Sequence, residues 1–238
     1  MADERQGAGR VAVIGDGQMG LVMADALLAS GHEVMLWGPF EESLAALEAS
    51  RTSERLPGFT LDPGIRVESD AAIALDGVGM ILCAIPCQFI RPVFEGLRGH
   101  IHGTPVIVSV SKGVEIETLE RPTQIFGSVL EGRGLPAVCL SGPTIAGELA
   151  RHQLATMLVA SNDDTAALRV QSAFSTAWLR IYTTDDVLGV ELAGAVKNVV
   201  AIAAGILDGI DAGMNAKSAL LARGLAEIVR LGDRPERD

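Results

Sequence analysis

The sequence predicts an α/β protein in which a doubly wound, mostly parallel sheet is followed by a partial all-α domain. Short apolar runs alternate with helical patterns along most of the chain, as they do when helices cover both faces of a parallel sheet. After Asp185 this alternation stops, and two long Ala-rich helical patterns follow with no strand between them. We therefore predict an α/β domain over residues 1–185 and the start of an incomplete helical domain over 186–238.

The individual elements follow from apolar runs and from the turn residues that bound them. The stretch 51–64 carries two Pro and two Gly and is predicted to be a loop. Predicted strands are Val11–Ile14, Glu33–Trp37, Ile65–Glu68, Gly79–Ile85, Pro105–Val110, Ala137–Leu140, Ala155–Ala160 and Leu179–Thr183. The first predicted helix follows the glycine turn and ends before Gly31, and the second contains Leu44 and Leu47. The other predicted helices are Asp70–Leu75, Phe89–Leu97, Thr123–Leu130, Thr165–Ser175, Val187–Ile210 and Asn215–Leu231.

Charge and composition exclude several classes of protein. The formal net charge is −11, and the 19 Lys and Arg are spread thinly, whereas nucleic-acid binding needs clustered cations. Residues 1–10 lack a signal-peptide core, and no apolar run reaches the roughly 18 residues of a membrane span. We expect a cytoplasmic protein with no nucleic-acid partner and no membrane span.

Cysteine and histidine usage gives no indication of a metal site. The three cysteines, Cys83, Cys87 and Cys139, have no C-x-x-C spacing and lie in apolar stretches, so buried free thiols are expected. The four His include only the pair His100 and His102, which is too few ligands for a convincing metal site.

A glycine-rich turn joins the first strand to the first helix. Gly15, Gly17 and Gly20 fit G-x-G-x-x-G: the first allows a tight turn, the second lets backbone approach a pyrophosphate, and the third lets helix pack on sheet. This setting predicts a Rossmann-like dinucleotide site, although a packing turn that binds nothing is the alternative. The second strand ends without a cation before Arg51, which favours NAD weakly over NADP.

Two further segments follow buried strands, at the edge where α/β sheets bind ligands. Lys112 comes directly after the fifth predicted strand and could meet a ligand there, or it could be a surface loop lysine. The small residues of Ser141–Glu148 would let backbone and hydroxyl groups approach a ligand. An ordinary loop leading into a helix is the alternative.

The first long helix near the end of the chain carries Lys197 among apolar and small residues. A desolvated amine gives up its proton more readily, which suits proton transfer, whereas a lysine at a helix edge that snorkels to solvent is the alternative. The neighbouring face is rich in small residues, which suggests that another helix packs close to it. That face is formed by Glu191, Gly194, Ala195, Asn198, Ile202, Gly205 and Gly209.

Several segments of the chain, taken together and in order, resemble those of a known protein family, although no single segment is sufficient. They are Gly15–Gly20, Ala84–Pro86, Ser111–Glu115, Leu140–Thr144 with Ala146 and Glu148, Gly189–Asn198, and Gly213 with Asn215 leading into Arg223–Glu227. In this order the chain resembles the NAD(P)-dependent glycerol-3-phosphate dehydrogenases of bacterial type, an oxidoreductase family. The Gly-Ala-Val-Lys-Asn segment is far more specific than the glycine turn.

The resemblance implies an enzyme that transfers a hydride between NAD(P)H and dihydroxyacetone phosphate, giving sn-glycerol 3-phosphate for glycerophospholipid synthesis in lipid metabolism. Lys197 would be the general acid/base at the C2 oxygen, and Lys112 would contact substrate and cofactor and stabilise charge on that oxygen. Substrate binding would involve Lys112, Thr144, Lys197 and Asn198. Cofactor binding would involve Gly15, Gly17, Gln18, Met19, Gly20, Lys112, Gly142 and Ala146.

Two departures from the family pattern leave alternatives open. Pro39 stands where many members carry an Arg after the second strand, which weakens an NADP preference. Family chains also continue past Asp238 with a Gly-Asp-Leu-like and a Ser-Arg-Asn segment, so a C-terminally truncated member is expected, and a homodimer is possible. The alternatives are a non-catalytic nucleotide-binding fragment of the family and a related 2- or 3-hydroxyacid dehydrogenase.

Overall fold

The computed structural model describes residues 9–232, which contain an eight-stranded sheet flanked by helices and followed by two long helices. The strands are β1 (Arg10–Ile14), β2 (Glu33–Trp37), β3 (Arg66–Glu68), β4 (Met80–Cys83), β5 (Val106–Ser109), β6 (Ala137–Ser141), β7 (Ala155–Ala160) and β8 (Leu179–Thr184). The helices are α1 (Gln18–Ala29), α2 (Glu41–Ser50), α3 (Ala71–Ala74), α4 (Ile90–Leu97), α5 (Pro122–Val129), α6 (Ala146–Leu149), α7 (Asp164–Phe174), α8 (Val187–Gly209) and α9 (Gly213–Gly232).

The strand order is β3-β2-β1-β4-β5-β6-β7-β8, and the neighbours from β3 to β6 are all parallel. Strand β7 pairs antiparallel with β6, and β8 is parallel to β7. The chain order reverses between β1 and β4, and ligands of open α/β sheets bind beyond the carboxyl ends of the strands at such a point. The prediction of a doubly wound, mostly parallel sheet is therefore confirmed.

Alternate residues of each strand pack on opposite faces of the sheet. In β1, Val11 and Val13 belong to one buried cluster, whereas Ala12 and Ile14 belong to another. Helices α1 and α7 contribute to the first cluster, and α4 and α5 contribute to the second. This two-faced burial explains why the strands read as continuous apolar runs.

Every predicted strand is present, with differences at the ends. Strand β4 ends two residues earlier than predicted, and the following Ala84 and Ile85 lie against Gly15 of the glycine turn. A 3-10 turn over Cys87–Phe89 precedes α4, and the short α6 forms in the segment for which a loop leading into a helix was the alternative. All three cysteines are buried free thiols, as expected, and burial raises the pKa of Cys83 and of Cys139 to about 12.

Helices α8 and α9 pack against each other, and α8 also contacts β6 and β7. A Cβ on Gly224 of α9 would lie 2.8 Å from Val200, so the two helices cross closely there. By length and composition alone α8 could cross a membrane, so the absence of a span stays a prediction. The domain boundary near Asp185 stays a prediction as well.

Candidate active site

The first and third glycines of the turn are required by packing within the protein. Gly15 has a φ of 120°, and a Cβ on it would lie 2.7 Å from the carbonyl oxygen of Ala84. A Cβ on Gly20 would lie 1.9 Å from the carbonyl oxygen of Gly15. Since both distances are far below van der Waals contact, any side chain at these positions would force the turn apart.

The second glycine has a different environment. A Cβ on Gly17 would meet no described protein atom within 4 Å, so the space above this residue is open to a ligand. Gly17 caps α1 without a side-chain hydrogen bond, and the first turn of α1 contains no acidic residue. The backbone N–H groups of the first turn, which begins at Gln18 and Met19, are therefore left for an anion, as a pyrophosphate site requires.

Lys112 is held beside this turn through Ile85. The Ser111 hydroxyl donates a 2.6 Å hydrogen bond to the carbonyl oxygen of Ile85. A Cβ on Gly15 would lie 2.8 Å from Cγ2 of the same Ile85. The loop after β5 and the glycine turn thus both contact Ile85. Lys112, in that loop, therefore lies near the glycine turn at the carboxyl ends of the strands.

An ion-pair network fixes the loop that carries Lys112. Arg91 of α4 contacts Glu115 at 2.7 Å and Glu120 at 2.6 Å, and Thr118 donates to Glu115. The hydrogen bond from Arg91 lowers the pKa of Glu115, and its two carboxylate partners raise the pKa of Arg91. The loop therefore has a fixed path between β5 and α5.

Helix α8 closes the site on the other side of Lys112. A Cβ on Gly194 would lie 3.7 Å from Cγ of Lys112 and 3.3 Å from Oγ of Ser141. Burial lowers the pKa of Lys112, and the charge of Lys197 lowers it further. Two amines that are 85 positions apart in the sequence are thus close enough to repel each other, and both are half-buried.

The segment after β6 supplies the remaining wall. A Cβ on Gly142 would lie 2.8 Å from the carbonyl oxygen of Thr156 in β7, so only glycine fits there. Ala146 is buried at the start of α6, which contacts α1. The buried hydroxyl oxygen of Thr144 has no hydrogen-bond partner among the described residues, a state that favours a role in holding a ligand.

A buried carboxylate fastens α8 to the α/β domain. Glu191 accepts hydrogen bonds from the backbone N–H of Thr123 at 2.9 Å and from its hydroxyl at 2.7 Å, and contacts Arg121 at 2.6 Å. Its side chain is 1% exposed. Glu191 lies six positions before Lys197, so this contact sets where the helix carries that lysine.

The expected close packing along the small-residue face of α8 is wrong for its second half. Side chains built on Gly205 and Gly209 would meet no described atom within 4 Å, whereas α9 approaches α8 at Val200 instead. Only Gly194 is crowded, and its neighbours are Lys112 and Ser141 rather than another helix. Asn198, the residue after Lys197, is exposed on α8, and its predicted contact with the substrate stays a prediction.

Sequence reasoning missed a polar cluster at the glycine turn. The buried carboxylate of Asp16 accepts from Ser43 at 2.5 Å and contacts Arg55 at 3.1 Å. The side-chain amide of Gln18 donates to the backbone carbonyl of Arg55. The available signal was an acidic residue inside G-x-G-x-x-G, but nothing in the sequence pairs it with a residue 39 positions away.

The structure brings together most of the residues predicted for the site. Lys112 packs against Gly194 of α8 near Lys197, and α6, which begins at Ala146, contacts α1 after the glycine turn. Their individual roles stay predictions.

Two protein-family models match the chain. The model for the N-terminus of NAD-dependent glycerol-3-phosphate dehydrogenase matches residues 10–167. The model for the C-terminus of the same family matches residues 186–237.

Curated proteins and solved structures give the same result. A glycerol-3-phosphate dehydrogenase (NAD(P)+) of Geobacter sp. strain M21 is 42% identical over 229 residues, which are 94% of this chain and 68% of that protein. The one of Geobacillus kaustophilus is 41% identical over 224 residues, with 93% and 65% covered. The crystal structure of glycerol-3-phosphate dehydrogenase from Coxiella burnetii superposes with a TM-score of 0.88 at 30% identity, covering 94% of this chain and 68% of that one.

Proposed function

The chain belongs to the NAD-dependent glycerol-3-phosphate dehydrogenase family, and we propose that it interconverts dihydroxyacetone phosphate and sn-glycerol 3-phosphate with NAD(P)H or NAD(P)+. The observation that carries this proposal is that Lys112 packs against Gly194 of α8, near enough to Lys197 for the charge of Lys197 to lower the pKa of Lys112. Two cationic amines at one pocket suit a substrate that carries a phosphate and a carbonyl that gains negative charge.

The chain has the groups that would hold the dinucleotide. The open space over Gly17 and the uncapped first turn of α1 fit the pyrophosphate, with backbone N–H groups of Gln18 and Met19 as donors. Gly142 and Ala146 would line the pocket further along the sheet edge. A nicotinamide held there would supply or accept the hydride at C2 of the substrate.

The two lysines then divide the remaining chemistry. As the hydride reaches C2, negative charge develops on the carbonyl oxygen, and Lys197 donates the proton that this oxygen takes up. In the reverse direction Lys197 accepts the proton from the hydroxyl. Lys112 stabilises the charge electrostatically. Burial, and then the charge of Lys197, lower the pKa of Lys112, and burial strengthens its electrostatic interactions.

Thr144 and Asn198 complete the proposed substrate contacts. The unpartnered hydroxyl of Thr144 gains a hydrogen-bond acceptor when the substrate enters. Asn198 is exposed next to Lys197 on α8, so it would contact the substrate at the outer side of the pocket.

The relatives favour this activity over both alternatives. Their names describe active dehydrogenases rather than non-catalytic nucleotide-binding fragments. Structures of other dehydrogenases and reductases match less closely, including a UDP-N-acetylmannosamine dehydrogenase with a TM-score of 0.65 at 15% identity, which shows the fold alone.

We further propose that the product serves glycerophospholipid synthesis in the cytoplasm. Glycerol 3-phosphate is the backbone to which acyl groups are attached, so the reduction direction fits that supply. A homodimer is proposed from the exposed apolar side chains of α8 and α9, which favour association. These side chains include Val199, Ile202, Ile206, Met214, Leu225 and Val229.

The test is the oxidation of NADH and NADPH by purified protein in the presence of dihydroxyacetone phosphate. We expect absorbance at 340 nm to fall only when this substrate is added. The matched controls are pyruvate and acetoacetate, which a 2- or 3-hydroxyacid dehydrogenase would reduce. Cofactor binding by calorimetry without turnover on any substrate would establish the non-catalytic alternative instead.

A further inference from the structure

An arginine from a distant part of the sequence contacts the glycine turn. Arg55 comes from the loop after α2, yet its guanidinium lies 3.1 Å from the carboxylate of Asp16 inside the turn. The Asp16 side chain is 8% exposed and also accepts from Ser43 of α2. The Arg55 side chain is 50% exposed, so its guanidinium is paired with Asp16 while part of the side chain faces solvent.

This cluster lies at the end of β2, where the adenosine end of a dinucleotide binds in this fold. The backbone N–H of Gly15 donates to the carbonyl of Trp37, the last residue of β2, at 2.7 Å. A Cβ on Gly38 would lie 3.3 Å from Asp16. Asp16 therefore touches both the segment after β2 and Arg55, so Arg55 lies at the end of β2.

The loop around Arg55 is held in place from two sides. The amide of Gln18 donates to the backbone carbonyl of Arg55, and the neighbouring Leu56 is buried in the core. A guanidinium that is positioned before the ligand arrives loses less conformational entropy on binding than a free surface arginine would.

We propose that Arg55, positioned by Asp16, binds the 2′-phosphate of NADP and makes this chain favour NADPH over NADH. Arginine is the side chain best suited to a phosphate, since its planar donors can form two parallel hydrogen bonds. The end of the second strand lacks the acidic residue that would hold the 2′-hydroxyl of NAD, because the strand ends at Trp37 and Gly38 follows. This proposal departs from the weak preference for NAD drawn from the sequence.

Two other arginines in this part of the chain, Arg51 and Arg66, make contacts away from the glycine turn. Arg51 donates to the carbonyl of Ile65 at 2.9 Å and pairs with Glu48, so it closes the loop after α2. Arg66 is exposed on β3 and lies 3.8 Å from Glu33 at the start of β2, which is the opposite end from the glycine turn. Arg66 therefore serves as a matched control for the loss of one exposed cation.

The proposal rests on the dinucleotide site of the proposed function, and binding measurements separate the two. Calorimetry would give Kd values for NADPH, NADH, adenosine 2′,5′-bisphosphate and 5′-AMP with wild type, Arg55→Gln, Arg55→Lys and Arg66→Gln. Because charge-assisted bonds to the 2′-phosphate are lost, Arg55→Gln should weaken NADPH and adenosine 2′,5′-bisphosphate by about 10- to 100-fold. NADH and 5′-AMP should change by less than about threefold.

The remaining variants sharpen the result. Arg55→Lys should keep part of the preference for the 2′-phosphate, and Arg66→Gln should leave all four Kd values within about twofold. An equal loss for all four ligands, or no loss for NADPH, would overturn the role of Arg55 while leaving the dinucleotide site intact. Failure of the wild type to bind any of the four would overturn the proposed function as well.

Discussion

Lys112 packs against Gly194, where an added Cβ would lie 3.7 Å from its Cγ, and Gly194 is less than one helical turn before Lys197. The absence of a side chain at Gly194 lets α8 approach the loop after β5. This approach brings the amine of Lys197 near that of Lys112. It could not be predicted from a local sequence pattern.

Substitution at Gly194 should therefore harm the site more than the fold. Gly194→Val would press on Lys112 and on Ser141, so we expect turnover to fall at least about tenfold, the scale of effect that small displacements of catalytic groups produce. Gly205→Ala is the control on the same helix, because its Cβ would meet no described atom within 4 Å. That variant should keep activity and gain about 0.5–1 kcal/mol of stability from helix propensity. Equal activity losses in the two variants would contradict the account.

Substitutions of two glycines of the turn should affect different properties, one the stability of the fold and the other the binding of the dinucleotide. Gly20→Ala places a Cβ 1.9 Å from the carbonyl oxygen of Gly15, so the free energy of unfolding should fall by more than about 2 kcal/mol. Gly17→Ala meets no described protein atom, and we expect a nearly unchanged melting temperature with dinucleotide affinity at least about tenfold weaker. Thermal unfolding and calorimetry on both variants make the comparison. Tight cofactor binding by Gly17→Ala would rule out the pyrophosphate position.

Lys112 should stabilise the protein less than an apolar residue of similar length. Burial and the charge of Lys197 lower the pKa of Lys112 below 10.5, so the unfolded chain binds more protons between the lowered pKa and 10.5. Lys112→Met should thus unfold at a temperature higher by about 2–4 °C near pH 7, the shift expected for a gain of about 1 kcal/mol.

The pH dependence of this difference follows from the same linkage. Between the lowered pKa of Lys112 and 10.5, the free energy of unfolding of the wild type rises with pH relative to that of Lys112→Met. The stability advantage of the variant should therefore shrink as pH rises through this range. Unfolding by urea at a series of alkaline pH values measures it. A gap that widens with pH would show that Lys112 titrates in the opposite direction.

Glu191 should be far more important for stability than the exposed carboxylates of the helical region. Removing one partner of a buried ion pair costs about 3–5 kcal/mol, so Glu191→Ala should lower the free energy of unfolding by that amount. The control is Glu227→Ala, whose pair with Arg223 is exposed and should contribute less than about 1 kcal/mol. Similar losses in urea unfolding would mean that Glu191 does not fasten α8.

The sequence allowed the sheet, the glycine turn and the two long helices to be predicted, because each depends on a local apolar period or on turn residues. The direction of β7 could not be predicted, since an antiparallel strand has the same pattern as a parallel one when both faces are buried. The contacts of Asp16 with Arg55 and of Glu191 with Thr123 join distant segments, so only the folded chain reveals them.

The central claim is that Lys197 exchanges a proton with the substrate oxygen while Lys112 stabilises its charge. The most direct measurement is the rate of NADPH oxidation with dihydroxyacetone phosphate by Lys197→Ala, beside its Kd for NADPH. We predict a loss of about 10²–10⁴-fold in kcat with cofactor affinity within about threefold of wild type. A Lys197→Ala protein that reduces dihydroxyacetone phosphate at the wild-type rate would contradict the account.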